Sequence, residues 1–180
     1  QAAVNGTWIS NVDANWNTGT NWSSNPTVPG TDPADVANLG TGTISTISII
    51  GFNPSLAALN FTSATTNYTA NNFGNTVAFG GTGITVANAG ITGQITNFAS
   101  SSINFNNSAS AGLGAGVSQL LNADMATINF YDTSSAGNAN LFNNTTAVAS
   151  INFYANSSAA QSTISNTNGT VNFDNNSSAG

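Results

Sequence analysis

The chain has no lysine, arginine, histidine or cysteine, and its six acidic residues are all aspartate, at positions 13, 32, 35, 124, 132 and 174. Each absence removes a class of chemistry. With no basic side chain to neutralise phosphates, neither nucleic acid nor an anionic membrane surface is expected as a partner. Side-chain salt bridges cannot form, and the formal charge is −6. Without cysteine there is no disulfide and no thiol nucleophile, and without cysteine or histidine the usual zinc ligands are missing. No apolar run approaches the ~20 residues needed to span a bilayer. Stability therefore has to come from packing and backbone pairing, for which 39% hydrophobic residues in 180 supply one domain with a core.

Asn, Ser and Thr fill more than two fifths of the chain, a composition that alone suits a disordered polar segment. The arrangement argues otherwise. The stretch Ile128-Asn129-Phe130-Tyr131-Asp132-Thr133-Ser134-Ser135-Ala136-Gly137 recurs from Ile103-Asn104-Phe105 to Gly112, from Ile151-Asn152-Phe153 to Ala160, and from Val171-Asn172-Phe173 to Gly180. A triplet of this kind at steps of 25, 23 and 20 residues, each followed by a small-residue turn, marks a solenoid in which every repeat is one coil stacked on the last. Leu59-Asn60-Phe61 and Val77-Ala78-Phe79 share its form. The predicted fold is all-β, a parallel β-helix (β-solenoid) of about six coils of roughly 22 residues over 43–180.

Strand alternation places the outer residues of each triplet inward and the Asn outward. The expected core columns are Leu59, Val77, Ile103, Ile128, Ile151 and Val171, and beside them Phe61, Phe79, Phe105, Phe130, Phe153 and Phe173. Asn104, Asn129, Asn152 and Asn172 form an outward ladder, each amide bonding its equivalent one strand away. Ser-Ser-Ala-Gly marks the corner, and segments such as Asn138–Phe142 and Gln161–Ser165 supply a second strand per coil. Asn-rich turns at Asn143-Asn144 and 166–169 then lead to the next triplet.

Residues 1–42 differ in texture, with all three Trp (8, 16 and 22) and three of the four Pro. They are expected to be an N-terminal cap, because the first coil of a solenoid exposes an apolar cross-section and unpaired backbone. A sugar-binding platform of Trp16 and Trp22 is the competing reading. Thr7-Trp8, Asn15-Trp16-Asn17, Asn21-Trp22 and Val28-Pro29-Gly30-Thr31-Asp32, followed by an apolar strand and the repeats, resemble the opening of secreted bacterial proteins with autotransporter-type β-strand repeats. That resemblance covers nearly the whole chain. It implies a β-helical passenger, an extracellular or bacterial cell-surface location and a structural or adhesive role. Gln1-Ala2-Ala3 reads as a mature terminus after signal cleavage at small residues.

Reactive constellations are weak. Asp132 and Asp174 lie at different offsets from their triplets, so they are not expected to converge as a glycosidase pair. Asp13, Asn15, Asn17 and Gly19 alternate like calcium ligands, but Thr18 stands where that loop needs glycine and no glutamate closes it. A Ca²⁺ site at Asp32 and Asp35 is equally unexpected. No cofactor is expected, and Gly80-Gly81-Thr82-Gly83 is a turn lacking the lysine of a phosphate loop. The leading expectation is a non-enzymatic extracellular stalk, passenger or filament subunit, with a glycan-binding adhesin as the alternative and a polysaccharide-acting enzyme behind it. An ice-binding face is not expected, since Thr recurs at no single offset. The last coil stops short of its second strand, which leaves either a longer β-helix or a stacked neighbour. Gln1, Ala2, Ala3 and Val4 are the residues expected to add a strand to the end around Phe173 of another copy.

Overall fold

The computed structural model describes residues 2–143 and 148–180, and the chain is an all-β solenoid of about five turns. Its strands in chain order are Asn5–Trp8 (β1), Val36–Leu39 (β2), Thr46–Ile50 (β3), Ser55–Phe61 (β4), Tyr68–Phe73 (β5), Thr76–Val86 (β6) and Thr92–Phe98 (β7). They continue as Ser102–Phe105 (β8), Ser110–Leu113 (β9), Val117–Asn122 (β10), Thr127–Phe130 (β11), Asn140–Asn143 (β12), Ala149–Phe153 (β13), Thr163–Asn166 (β14) and Gly169–Phe173 (β15). Every strand pair is parallel, as stacking of successive coils requires. Among the described residues no helix is long and apolar enough to cross a membrane.

Three walls enclose the core. The triplet wall stacks Ile103, Ile128, Ile151 and Val171 in one column and Phe105, Phe130, Phe153 and Phe173 in the next, with Val77 and Phe79 beneath. Phe79, Phe105, Phe130, Phe153 and Phe173 form a continuous ring stack with centroids 4.7–5.1 Å apart, close to the strand spacing. The second wall is the sheet β3-β5-β7-β10-β12-β14, whose inward column runs Ile47, Ala70, Ile95, Leu120, Leu141 and Ile164. The third wall carries the bridges Ser110–Ser135–Ser158–Ser178 in the later coils. Between Phe and Ser the chain turns through a left-handed residue at one fixed place, Asn107, Asp132, Ala155 and Asn175, with φ between 55° and 60°.

Phe61 departs from its expected column. It is fully buried, but it stacks between Leu39 and Val86, while Phe79 lies over Leu56. The cause is that β4 and β6 run straight through a corner and contribute to two walls each. Register shifts between Leu56 and Ala58, opposite which β6 advances from Phe79 to Gly83. Leu59-Asn60-Phe61 is thus a third-wall segment that shares the triplet's form. Phe61 reaches across to Gly93, where an added Cβ would lie 2.3 Å from its ring.

The coils also begin before residue 43. β1 pairs with β2 and β2 with the second half of β4, so Trp8, Leu39 and Phe61 form one inward column. Residues 1–42 therefore supply two third-wall strands as well as a lid, and the solenoid has about five turns where spacing suggested six.

Candidate functional site

At the N-terminal end the three indoles close the cross-section. Trp8, Trp16 and Trp22 are at most 1% exposed and pack edge-to-face, with Trp8–Trp22 and Trp16–Trp22 centroids 5.1 and 4.7 Å apart. Each Nε1–H donates to a backbone carbonyl: Trp8 to Ile44 at 2.9 Å, Trp16 to Pro29 at 2.9 Å and Trp22 to Trp16 at 2.8 Å. With faces covered and donors used, Trp16 and Trp22 cannot serve as a sugar platform. The lid also covers the strand edges. Around the antiparallel Trp8–Trp22 bridge, Ile9 N–H donates to the Asn21 carbonyl and Ser23 N–H to the Thr7 carbonyl, both at 2.9 Å, and Ala14 and Trp16 pair with Ser48 on the second wall.

Asp35 latches this end. Its carboxylate, fully buried, accepts the N–H groups of Val4 (2.6 Å), Gly30 (2.9 Å), Thr31 (3.0 Å) and Asp32 (3.1 Å). Burial opposes the charge, but the N–H donors of Val4, Gly30, Asp32 and Thr31 outweigh it and hold the carboxyl below its ordinary value. Val4 also accepts from Val36 N–H at 2.8 Å, so it is committed within its own chain and is not free to extend a neighbour. Ala2 and Ala3 are exposed outside any strand, and Gln1 lies outside the described residues.

The calcium-like alternation is a turn. Asp13 accepts Asn15 N–H at 3.0 Å and Asn21 Nδ2 at 3.1 Å, and bonds from Asn15, Thr18 and Asn21 keep its carboxyl below the ordinary value. No group of three or more metal-ligating side chains occurs among the described residues. Asp132 sits in a left-handed corner and accepts Asn107 N–H at 2.9 Å, two residues past Phe130, whereas Asp174 follows Phe173 directly. The two occupy different positions of the coil and do not converge.

The outward ladder is continuous. Nδ2 of Asn129 donates to Oδ1 of Asn104, Asn152 to Asn129 and Asn172 to Asn152, each at 2.8 Å. Beside it runs a hydroxyl row, Thr76, Ser102, Thr127, Ser150 and Thr170, in consecutive register. Asn129 and Asn152 also donate to the hydroxyls of Thr127 and Ser150, at 3.3 and 3.0 Å. A search for threonine alone misses this row, because Thr and Ser alternate in it. Tyr131 and Tyr154 stack at 5.2 Å on the same face, and burial, then the neighbouring Tyr154, raises the Tyr131 pKa.

A second amide ladder is inside the second wall, where sequence reading did not find it. Asn72, Asn97, Asn122 and Asn143 are all fully buried. Asn72 donates to Asn97 at 3.0 Å, Asn97 to Asn122 at 3.1 Å and Asn122 to Asn143 at 2.9 Å. Each Nδ2 also reaches the carbonyl that opens a triplet strand: Ser102, Thr127, Ser150 and Thr170 in turn. The ladder thus ties the end of each second-wall strand to the triplet wall. Its lower end is marked by Ile49, which holds the column below Asn72 and leaves Asn72 Oδ1 buried and unpaired. The available signal was an Asn at steps of 25, 25 and 21 residues closing each second strand.

The C-terminal end contrasts with the lid. β14 and β15 are largely exposed, Phe173 is 40% exposed, and nothing among the described residues covers the ring face opposite Phe153. No protein-family model, curated protein or solved structure matches this chain, so its fold and its surfaces rest on the geometry given above.

Proposed function

We propose that this chain is a structural β-solenoid acting outside the cell, as a surface stalk, passenger segment or filament subunit, and that it performs no catalysis. The observation that carries the reading is how its polar side chains are used. The two asparagine ladders spend their amides on one another and on adjoining strands, binding coil to coil. Such a surface holds a shape, and its ordered amides are already committed to partners within the chain. The resemblance to autotransporter-type passengers supports an extracellular site, as does the lack of lysine and arginine, which leaves trypsin no cleavage point.

Digestion of the folded chain with thermolysin and proteinase K at 37 °C, followed by mass spectrometry, tests this role. The expected result is an intact core from Asn5 through at least Phe153 after hours, with early cuts confined to exposed turns. Rapid fragmentation through β4–β11 would contradict a durable scaffold. Screening the intact chain against a glycan array tests the adhesin alternative, with no saturable binding expected.

A further inference from the structure

We propose that Tyr131 and Tyr154 are a site of oxidative cross-linking, at which an external one-electron oxidant, a haem peroxidase with hydrogen peroxide, joins two successive coils by a carbon–carbon bond. The two rings are stacked, with centroids 5.2 Å apart and planes 10° from parallel. They hold one position of the coil. Phe130 and Phe153 are register partners in β11 and β13, and the tyrosines follow them directly. Tyr131 N–H donates to the Phe105 carbonyl at 2.8 Å and Tyr154 N–H to that of Phe130 at 2.9 Å. Their own carbonyls accept Ser134 N–H at 3.0 Å and Ser157 N–H at 3.1 Å, across the left-handed corners at Asp132 and Ala155. Both backbones are therefore fixed, and only side-chain rotation separates stacked rings from bonded ones.

The pair is also chemically isolated. The chain has three tyrosines, and the third, Tyr68, is buried with its hydroxyl donating to the Gly42 carbonyl. Tyr131 and Tyr154 are half-buried on the outer face of the triplet wall, where an oxidant reaches their edges. In their column Asn106 lies on one side and Asp174 on the other, and neither carries a phenol. The three Trp are sealed in the lid, and there is no cysteine to quench a tyrosyl radical. A radical formed on either ring thus has one phenol beside it. Because the partners are held in contact, coupling within one chain outruns coupling between chains at micromolar concentration.

The oxidant takes one electron from each phenol, and each hydroxyl proton goes to solvent. The two phenoxyl radicals couple Cε to Cε. The hydrogens on those carbons leave as protons, and protons return through water to the two oxygens, restoring both phenols. In sum two C–H bonds are lost, one C–C bond forms, and one hydrogen peroxide is reduced to two waters. The product closes a covalent loop over residues 131–154, which restricts the unfolded chain as a disulfide does and hardens the scaffold.

The test oxidises the full chain with peroxidase and peroxide, and in parallel with a small photo-generated ruthenium oxidant that needs no docking. An endoproteinase cutting before aspartate then leaves each tyrosine in a different peptide: Tyr68 in 35–123, Tyr131 in 124–131 and Tyr154 in 132–173. Dityrosine fluorescence is expected, with a joined 124–131/132–173 peptide lighter than its parts by two hydrogen atoms, in a yield unchanged by dilution. Tyr131→Phe and Tyr154→Phe, which keep the ring and lose only the hydroxyl, should each abolish that peptide. The linked chain should remain monomeric on a denaturing gel and melt at a higher temperature than oxidised Tyr154→Phe, which undergoes the same side reactions without the link. No dityrosine with either oxidant, a 35–123 peptide joined to one of the others, or cross-links found only in covalent dimers that fade on dilution would each overturn the proposal. So would a joined peptide that survives Tyr131→Phe, or a linked chain that melts no higher than the oxidised variant.

Discussion

The first and last described coils of this solenoid differ in how their apolar cross-sections are covered. At the N-terminal end three indoles, each with its N–H bonded, cover the apolar section, and Asp35 fastens Val4 and residues 30–32. At the C-terminal end the phenylalanine stack stops with its last ring 40% exposed. Repetition alone propagates a fold but does not finish it. Finishing takes residues outside the repeat, which is why Trp and most Pro are found in the first 42 positions.

The largest expected effects lie where the stack or lid is complete. Trp16→Ala and Phe130→Ala each remove a fully buried ring and should cost about 3 to 5 kcal/mol in denaturant unfolding. Phe173→Ala, at the open end of the same stack, should cost about 1 to 2 kcal/mol because less of its area leaves water. Equal losses for Phe130 and Phe173 would erase the distinction between a closed stack and an open end.

Asp35→Ala strands buried N–H donors and should cost roughly 3 kcal/mol, most of it local to the lid. The same latch sets a pH dependence. Because the Asp35 and Asp13 carboxyls titrate below the ordinary 3.8, their stabilisation is complete above that pH and is lost as pH falls through the lowered folded-state values. All three Trp are in the lid, so their fluorescence reports it alone. An acid transition to red-shifted emission is expected below pH 3.8, and it should be blunted in Asp35→Asn, which starts from a loosened lid at neutral pH.

Asn97→Ala breaks the buried ladder between two walls and should cost about 2 to 3 kcal/mol, by leaving Asn72 Nδ2 and the Thr127 carbonyl short of a partner. Tyr131→Ala, on the outer face, should cost about 1 kcal/mol, the worth of its stack on Tyr154. The smallest effect concerns Ser134, Ser157 and Ser177, whose buried hydroxyls lack a hydrogen-bond partner. Ala109 stands one residue before Ser110, in the place that Ser134 and Ser157 hold before Ser135 and Ser158. Ser157→Ala should therefore be neutral or stabilising by up to about 1 kcal/mol.

The later coils were legible because one pattern is repeated almost unchanged. From Ile103 onward the columns and the outward asparagines stand where alternation and spacing put them. The Ser-Ser-Ala-Gly segment expected as the corner instead carries the third wall through Ser110, Ser135, Ser158 and Ser178, and the chain turns before it at Asn107, Asp132, Ala155 and Asn175. The earlier coils were not legible, for a physical reason: a triplet records which residues point inward but not which wall they belong to. Leu59-Asn60-Phe61 and Ala37-Asn38-Leu39 look like members of the triplet wall and build the third. The buried ladder escaped for another reason. Asn is ordinarily a turn or surface residue, and Asn97 or Asn122 becomes a core residue only because its neighbours above and below supply identical amides. Burial of the three indoles was legible as a lid, whereas the partners of their N–H groups, set by loop carbonyls at Ile44, Pro29 and Trp16, were not.

Residue-resolved native-state hydrogen exchange tests most directly the claim that one end is closed and the other open. Amides of β1 and β2 should exchange with protection close to that of the central strands β7, β8 and β11, and protection should fall through β13 to its lowest in β14 and β15. Protection in β15 equal to that in β8, or a lid that exchanges faster than β15, would contradict the account.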